Sequence, residues 1–345
     1  MNKVKTKIEK YLEQENTKAA KKILKDITNK SYFYFYKGEI KRIEGFMKEA
    51  VDCYEKVLNE RDRDDKVCFD SLLNLISLYR AEGNVVKTEN LIKKAEKISP
   101  KDPRLKLEIA MFYRMKGEFK KALFELNKIK SGYLLSRDFQ GVSYIEWAVG
   151  GIYRLMGEFQ KAVDSYKKSI KYAEKSKDDS LKTYALLGLA GTFRVFGKIK
   201  DSYECYSKAG KIIKSDDYFA KAYVCCGLAN ALRQMGEIKK AIFNYKKSYK
   251  LYKRIGDKLD LALVLWGMGE CYKKLGEFEA ALEKFKKADD LFKKGFEPRG
   301  FILNRISTAQ TLYLMGEKKK AKSIYFNALD EAKKHNLNTY LEIFT

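Results

Sequence analysis

Six arginines recur at one position of a long repeat, and their guanidinium groups are the side chains best suited to bind a ligand. Each lies three residues before a glycine, and these glycines are 34 to 40 residues apart. The six are Arg42, Arg80, Arg114, Arg154, Arg194 and Arg233. A guanidinium group presents a planar fork that binds carboxylates or phosphates, and it also stacks on aromatic rings. Because lysine outnumbers arginine more than fourfold in this chain, arginine at this position predicts recognition of an anion.

The residues that share a helical face with these arginines are mostly small or aromatic. Offsets of three or four residues keep side chains on one face of a helix. Three residues before the arginine stand Ser77, Met111, Gly151, Gly191 and Asn230. Further back come Trp147, Leu187, Cys226 and Trp266, and then Tyr144, Tyr184 and Tyr223. The pattern predicts room for a ligand beside an aromatic wall and a row of cations.

Pairs of helices must position this face. In the fourth repeat, apolar residues in helical phase precede Gly157, and a second helix is predicted to open at Glu158 and to run through Ile170. Four residues beyond a small side chain in the second helix, each repeat places a large one, as at Ala162 and Tyr166. Small side chains let two helices approach, and large ones fill the space beside them. Two more glycines, Gly276 and Gly316, continue the series, so we expect eight stacked hairpins forming a solenoid.

This pattern resembles the tetratricopeptide repeat. Gly157, Glu158, Phe159, Lys161 and Ala162, followed by a tyrosine four residues later, are close to the family consensus, and Pro100 stands at its terminal proline. The resemblance covers about residues 31–330. The spacing near 40 residues is similar to that of the long-repeat subclass found in peptide-binding adaptors and bacterial regulators.

The resemblance implies an all-α fold, a right-handed α-α superhelical solenoid of about eight hairpins plus terminal helices. Residues 1–30 are expected to form a shorter hairpin, with helices near 3–13 and 17–28. Residues 31–336 would form the repeat array, and residues 337–345 a capping segment, because a terminal repeat otherwise exposes its apolar face.

In this family the arginine position faces a concave groove, so the resemblance implies a ligand there. We expect it to be an extended, acidic segment of a partner protein, which makes the chain an interaction scaffold or a regulatory subunit. Repeats seven and eight lose the arginine, so the ligand is expected to span repeats two to six. The candidate groove residues are Arg80, Arg114, Arg154, Arg194, Arg233, Tyr144, Trp147, Tyr184, Tyr223, Asn230, Trp266 and Lys273.

Two alternatives stay open. The arginines could instead pair locally with the carboxylate that follows the glycine, at Glu118, Glu158 and Glu237. The net charge of +25 and the aromatic face would also suit single-stranded nucleic acid. Against nucleic acid, the paired lysines, such as Lys167 and Lys168, fall on second helices, where the family has its outer surface.

The remaining composition argues against several other classes. No nucleophile–base pair, metal cluster or phosphate loop stands out, so we expect no catalysis and no cofactor. The six cysteines form no CxxC motif, which suits free thiols in a reducing cytoplasm. No run approaches the roughly 18 apolar residues of a membrane span. The sequence therefore predicts a basic cytoplasmic protein, and it leaves the oligomeric state open.

Overall fold

The computed structural model describes residues 2–14, 16–61, 64–295 and 298–334, and this part of the chain forms eighteen α-helices. They are α1 Asn2–Glu13, α2 Thr17–Leu24, α3 Lys30–Ile43, α4 Met47–Asn59, α5 Asp65–Ala81, α6 Val85–Ile98, α7 Pro103–Met115, α8 Phe119–Leu135, α9 Phe139–Leu155, α10 Phe159–Lys175, α11 Asp179–Val195, α12 Ile199–Ile212, α13 Tyr218–Gln234, α14 Ile238–Ile255, α15 Lys258–Lys274, α16 Phe278–Gly295, α17 Pro298–Leu314 and α18 Lys318–Lys334. Consecutive helices pair as hairpins, so the predicted all-α solenoid is confirmed.

The repeat glycines end the first helix of each hairpin. All eight have positive φ, between 75° and 88°, a left-handed conformation that side chains other than glycine disfavour. A Cβ atom added at Gly157 would have no neighbour within 4 Å, so backbone conformation and not space requires the glycine. The amide of Glu158 then donates to the carbonyl of Tyr153 at 2.9 Å and closes the helix end.

Polar side chains cap the starts of several first helices. Asp138 accepts a hydrogen bond from the amide of Gly141 at 2.8 Å, and Asp257 accepts one from the amide of Asp260 at 3.0 Å. Capping of this kind satisfies amides that have no partner within the helix. This hydrogen bond places Asp260 in the first turn of α15, next to Asp257.

The hairpins stack through a large residue on the second helix that meets a glycine on the next first helix. The rings of Tyr206 and Tyr245 are at most 2% exposed. A Cβ atom added at Gly227 would lie 2.3 Å from the Tyr206 ring, and one at Gly267 would lie 2.4 Å from the Tyr245 ring. Real atoms do not approach so closely, so the stacking distance depends on these glycines.

The helices divide into two compact units. The first unit comprises Met1–Gly188 and Ile212–Asp217, and the second comprises Leu189–Lys211 and Tyr218–Thr345. The segment 212–217 belongs with the first unit because Asp216 meets the start of α2. There the hydroxyl of Thr17 donates to the Asp216 carboxylate at 2.7 Å.

The sequence predicts a hairpin at the N-terminal end of the chain and a capping segment at the C-terminal end. Within residues 1–30 the structure has the helices α1 and α2, and α2 ends at Leu24, earlier than the predicted residue 28. The predicted capping segment, 337–345, lies outside the described residues. Among the helices that are described, none has the length and apolar character needed to cross a bilayer.

Candidate functional site

The arginine of the second repeat lies in the first unit and already has an anionic partner. Arg80 on α5 donates from Nε to Glu108 on α7 at 3.2 Å and from Nη2 to the hydroxyl of Ser77 at 3.2 Å. Burial lowers the pKa of Arg80, but Glu108 and Tyr144 outweigh it and raise the pKa above its ordinary value. We call the row of cations that stand three residues before the repeat glycines the stripe. At Arg80 the positive charge of the stripe is balanced by the carboxylate of Glu108.

The arginine of the third repeat differs from that of the second. Arg114 on α7 is partly buried, and no carboxylate within the described ranges pairs with it. Burial lowers its pKa and the positive charges of Arg154 and Arg80 lower it further, whereas Tyr166 and Tyr144 act in the opposite direction. A cation crowded by two other cations in a partly buried place favours the approach of an anion.

Gly151 on α9 provides the space that Arg114 occupies. A Cβ atom added there would lie 3.3 Å from Nη2 of Arg114. Gly151 stands three residues before Arg154, where the first repeat has Glu39, which binds Arg42 at 2.8 Å. In the fourth and fifth repeats, Gly151 and Gly191 thus stand where the first repeat has an acid.

The predicted aromatic residues of the first unit come together only in part. The rings of Tyr144 and Trp147 on α9 lie 5.3 Å apart, and Tyr144 is close enough to Arg80 and Glu108 to interact with both. Tyr184 is placed elsewhere, where its hydroxyl donates to Asp217 at 3.3 Å. Tyr144 and Trp147 thus form an aromatic pair, and Tyr144 lies near Arg80 and Arg114.

A cavity of about 430 Å³ in the first unit is lined by Arg42, Arg104 and several acids, but its charges are paired internally. Arg104 binds Asp70 at 2.7 Å and Asp102 at 2.9 Å. Glu39 accepts hydrogen bonds from the hydroxyl of Tyr54 and the amide of Asn74, both at 2.6 Å. This cavity mixes acids and bases and lacks the uniform positive charge that the sequence suggested.

A second cavity, of about 290 Å³, lies in the second unit. It brings together four predicted site residues: Arg194, Tyr223, Asn230 and Trp266. Tyr206 and Tyr252 add aromatic surface, and Arg299 adds a second guanidinium group. The Nε atom of Arg194 is buried and has no hydrogen-bond partner within the part of the chain that the structure describes.

Polar groups in the wall of this cavity are held in place by neighbours. Asn230 accepts a hydrogen bond from the hydroxyl of Tyr245 at 2.7 Å, which leaves its amide group near the sulfur of Cys226. The indole of Trp266 donates to the hydroxyl of Ser307 at 2.9 Å. These contacts orient the side chains of Asn230 and Trp266 in the cavity wall.

An acid that the sequence argument missed, Asp260, also lines this cavity. Burial raises its pKa to about 7, and the negative charge of Asp257 adds to the rise. A hydrogen bond from Tyr252 acts in the opposite direction. Asp260 therefore exchanges its proton near neutral pH, and the net charge of the cavity changes with it.

Two of the predicted cations are enclosed or already paired. Arg233 is only 9% exposed, lies 5.3 Å over the ring of Trp266, and has its pKa raised by Tyr245 despite the lowering effect of burial. Lys273 binds Glu270 and Gln310, both at 2.8 Å. Lys273 is therefore paired within the fold, whereas Nε of Arg233, like that of Arg194, is buried without a hydrogen-bond partner among the described residues.

The carboxylates that follow the repeat glycines bind lysines. Glu118 pairs with Lys121 at 2.6 Å and Glu237 with Lys240 at 3.0 Å, and Glu158 pairs with Lys161. Acids that pair with cations of the stripe lie instead on first helices: Glu39, Glu108 and Glu270. The signal for two of these was available, because an acid stands three residues before the cation in the first and seventh repeats.

No group of three metal-binding side chains occurs in the described ranges. All six cysteines there are free thiols.

Comparison with known families identifies the repeat. Residues 218–294 and residues 147–176 match models described as Tetratricopeptide repeat. The longer match covers the hairpins α13–α14 and α15–α16, and the shorter one falls in the fourth repeat. No curated protein matches the sequence.

Solved structures share the architecture at low sequence identity. The Rap protein complexed with Competence and Sporulation Factor is 19% identical, with a TM-score of 0.64 over 81% of this chain and 80% of that chain. A chain of the APC/C hetero-tetramer Cut9–Hcn1 is 14% identical, with a TM-score of 0.67 over 95% of this chain and 59% of that one. BtubC from P. vanneervenii is 16% identical, with a TM-score of 0.50 over 64% of this chain and 90% of that one. At these identities the likeness establishes the fold alone.

Proposed function

The chain belongs to the tetratricopeptide-repeat family, and on this basis we propose that it is a protein-binding module whose first-helix arginines take an extended, acidic segment of a partner protein. The module works by binding and carries out no reaction of its own. Solved relatives of the fold hold other molecules, namely Competence and Sporulation Factor on Rap and Hcn1 with Cut9.

The observation that carries this proposal is the state of Arg114. Burial lowers its pKa, the positive charges of Arg154 and Arg80 add to the fall although Tyr166 opposes it, and no carboxylate of the described first unit forms an ion pair with Arg114 itself. A ligand carboxylate would relieve this repulsion and would bind a guanidinium group through two hydrogen bonds. Hydrogen bonds to charged groups contribute about 1.5 to 3 kcal/mol each.

Helix spacing sets the chemistry of the ligand. Packed helices are about 8–10 Å apart, and an extended peptide advances about 3.3 Å per residue. Arginines on neighbouring first helices, such as Arg114 and Arg154, would meet about every third residue of the peptide. We therefore assign the ligand acidic residues at that interval.

The second unit contributes a place for apolar side chains. Its cavity of about 290 Å³ is at the small end of ligand pockets, so it suits one or two side chains and not a whole cofactor. Tyr223 and Trp266 would contact an aromatic or aliphatic group, and Arg194 would bind an adjacent acid. Aromatic residues and arginine dominate the energetics of protein interfaces.

The test uses a labelled peptide with aspartate at every third position and leucine between, together with a matched peptide carrying lysine for aspartate. Binding is measured by fluorescence anisotropy for the wild type, Arg114→Gln and Arg194→Gln. We expect each arginine variant to weaken binding of the acidic peptide about tenfold, the equivalent of about 1.4 kcal/mol. Lys167→Gln and Lys246→Gln remove the same charge from exposed second-helix positions and should leave affinity within twofold.

Two outcomes would contradict the proposal. Equal affinity of the wild type and both arginine variants would show that the stripe serves the fold alone. Tighter binding of a thymidine oligonucleotide than of the acidic peptide, with a steep fall in added salt, would assign the site to single-stranded nucleic acid.

A further inference from the structure

The last hairpin of the described chain carries aromatic residues where every earlier repeat is polar. Three residues before the glycine, the earlier repeats have arginine or lysine and the last has Tyr313. Ten residues after the glycine, the last repeat has Phe326. The residues at that position in the first seven repeats are Glu55, Lys93, Asn127, Lys167, Ser207, Lys246 and Lys286. Two polar-to-aromatic changes in one repeat create an apolar surface that the others lack.

A third aromatic residue is uncovered beside these two. Tyr325 is 40% exposed, whereas its counterparts in the first seven repeats are at most 7% exposed. Those counterparts are Tyr54, Ile92, Leu126, Tyr166, Tyr206, Tyr245 and Phe285. The counterparts are covered where a first helix packs on them, as Tyr206 is by Gly227 and Tyr245 by Gly267. Tyr325 thus occupies the position at which each earlier repeat packs against a first helix.

The three rings form one cavity with a basic rim. It measures about 610 Å³, and Tyr313, Leu314, Tyr325 and Phe326 line it. The Nζ atom of Lys318 lies 5.9 Å from the centre of the Tyr313 ring, and that of Lys322 lies 5.9 Å from the centre of the Phe326 ring. Lys319 and Lys320 are also exposed on this first turn of α18, where Glu317 pairs with Lys320. The apolar cavity is therefore bordered by four lysines, and Glu317 is the one acid named here that pairs with them.

We propose that this terminal surface, formed by Tyr313, Leu314, Tyr325 and Phe326, binds an acidic amphipathic helix of a partner protein. The apolar face of that helix would fill the cavity, with a small residue opposite Tyr325, as Gly227 lies opposite Tyr206. Its flanking glutamates or aspartates would pair with Lys318 and Lys322. Charge selects this occupant over a second copy, because this chain has a net charge of +25 and would repel itself.

Neither Arg114 nor Arg194, the arginines tested for the proposed function, lines this surface, so the two proposals are tested by different variants. Its binding mode is a helix laid in an apolar groove, with anchors at intervals of three and four residues. Exposed apolar patches of this kind, when rimmed by polar groups, are typical of interaction sites.

The test uses a labelled helical peptide of about 18 residues, with leucine and alanine on one face and glutamate elsewhere, and a matched peptide with lysine for glutamate. The full chain is compared with the variant Tyr313→Arg/Phe326→Lys, which installs residue types that earlier repeats carry at these positions. We expect the wild type to bind the glutamate peptide at least tenfold more tightly than the lysine peptide. The double variant should bind the glutamate peptide at least tenfold more weakly than the wild type.

Phe243→Lys is the matched control, since Phe243 is 58% exposed on α14 of the same unit and lies outside the surface. It should bind as the wild type does. Equal binding by the wild type and the double variant, or no binding of the glutamate peptide, overturns the proposal. So does a dimer of the wild type that Phe326→Lys dissociates, since a second copy would then be the occupant. A tenfold gain in affinity on Leu341→Asp/Phe344→Asp overturns it as well, because the chain's own C-terminal residues would be covering the surface.

Discussion

Arg80 donates to Glu108 at 3.2 Å across two neighbouring first helices, so one repeat supplies the anion for the cation of the repeat before it. Both side chains are largely enclosed, at 11% and 12% exposed. The next arginine along, Arg114, has no such partner in the described first unit. Arginines that occupy equivalent positions in the sequence therefore differ in their ion-pair partners in the fold.

Breaking the Arg80–Glu108 pair on one side should destabilise the protein. Glu108→Gln leaves a mostly buried guanidinium group without its counter-charge, and we expect a loss of about 3 kcal/mol in the free energy of unfolding. Arg80→Met/Glu108→Gln removes both charges and should cost less than the sum of the two single changes. Urea unfolding of the four proteins gives the coupling directly. Additive costs would show that the two side chains do not stabilise each other.

Much of the fold could be predicted from the sequence because glycine reports a backbone conformation. Each repeat glycine takes positive φ, and the spacing of these residues alone locates the hairpins. The small residue and the large one four positions later, as at Ala162 and Tyr166, likewise mark the packing surfaces, and both are buried. Both features could be predicted because each depends on residues that lie close together in the sequence.

The site was less predictable because its partners come from other helices. Glu108 lies 28 residues from Arg80 in sequence, and no local rule connects them. The same holds for Arg233, which Tyr245 and Trp266 enclose, and for Asp260, which becomes part of a cavity only when α13 and α15 pack. Residue type predicted which side chains could bind an anion, and the packing decides which of them are already occupied.

Replacing a stacking glycine should destabilise the second unit. In Gly227→Ala the new Cβ would lie 2.3 Å from the buried ring of Tyr206, so the helices must move apart. Overpacking of this kind costs about 1–3 kcal/mol. Gly132→Ala is the control, because Gly132 is exposed within α8 and a Cβ there has no neighbour within 4 Å. It should stabilise the protein by about 0.5–1 kcal/mol through helix propensity. Equal shifts in urea midpoint for the two variants would contradict this account of the stacking.

Asp260 should make the second unit less stable as pH rises toward neutrality. Burial, with help from Asp257, raises its pKa from 3.8 to about 7, so the folded chain holds a proton that the unfolded chain releases in this window. Stability from this group is complete below pH 3.8 and is lost as pH rises through about 7, with a slope of up to about 1.4 kcal/mol per pH unit. Asp260→Asn removes the proton exchange, so its advantage over the wild type should grow between about pH 4 and 7.

The measurement for Asp260 is the free energy of unfolding in urea at several pH values, taken as the difference between variant and wild type. Asp290→Asn, at an exposed position of α16, provides the control for removing an acid. A difference between Asp260→Asn and the wild type that stays constant from about pH 4 to 8 would show that Asp260 does not keep its proton in the fold.

Placing an acid at Gly151 should switch off the first unit's anion site from within. The first and seventh repeats carry glutamate three residues before the cation, where Glu39 binds Arg42 and Glu270 binds Lys273, both at 2.8 Å. Gly151→Glu would place the same group three residues before Arg154 and next to Arg114, whose guanidinium tip is flexible enough to make room. We expect binding of the aspartate peptide to fall at least tenfold, because the ligand then competes with an internal carboxylate. Gly151→Gln has nearly the same size without the charge, so it separates electrostatic from steric effects and should bind within threefold of the wild type. If glutamine weakens binding as much as glutamate does, the lost space and not the charge accounts for the effect, and Arg114 is not the group that recognises the acid.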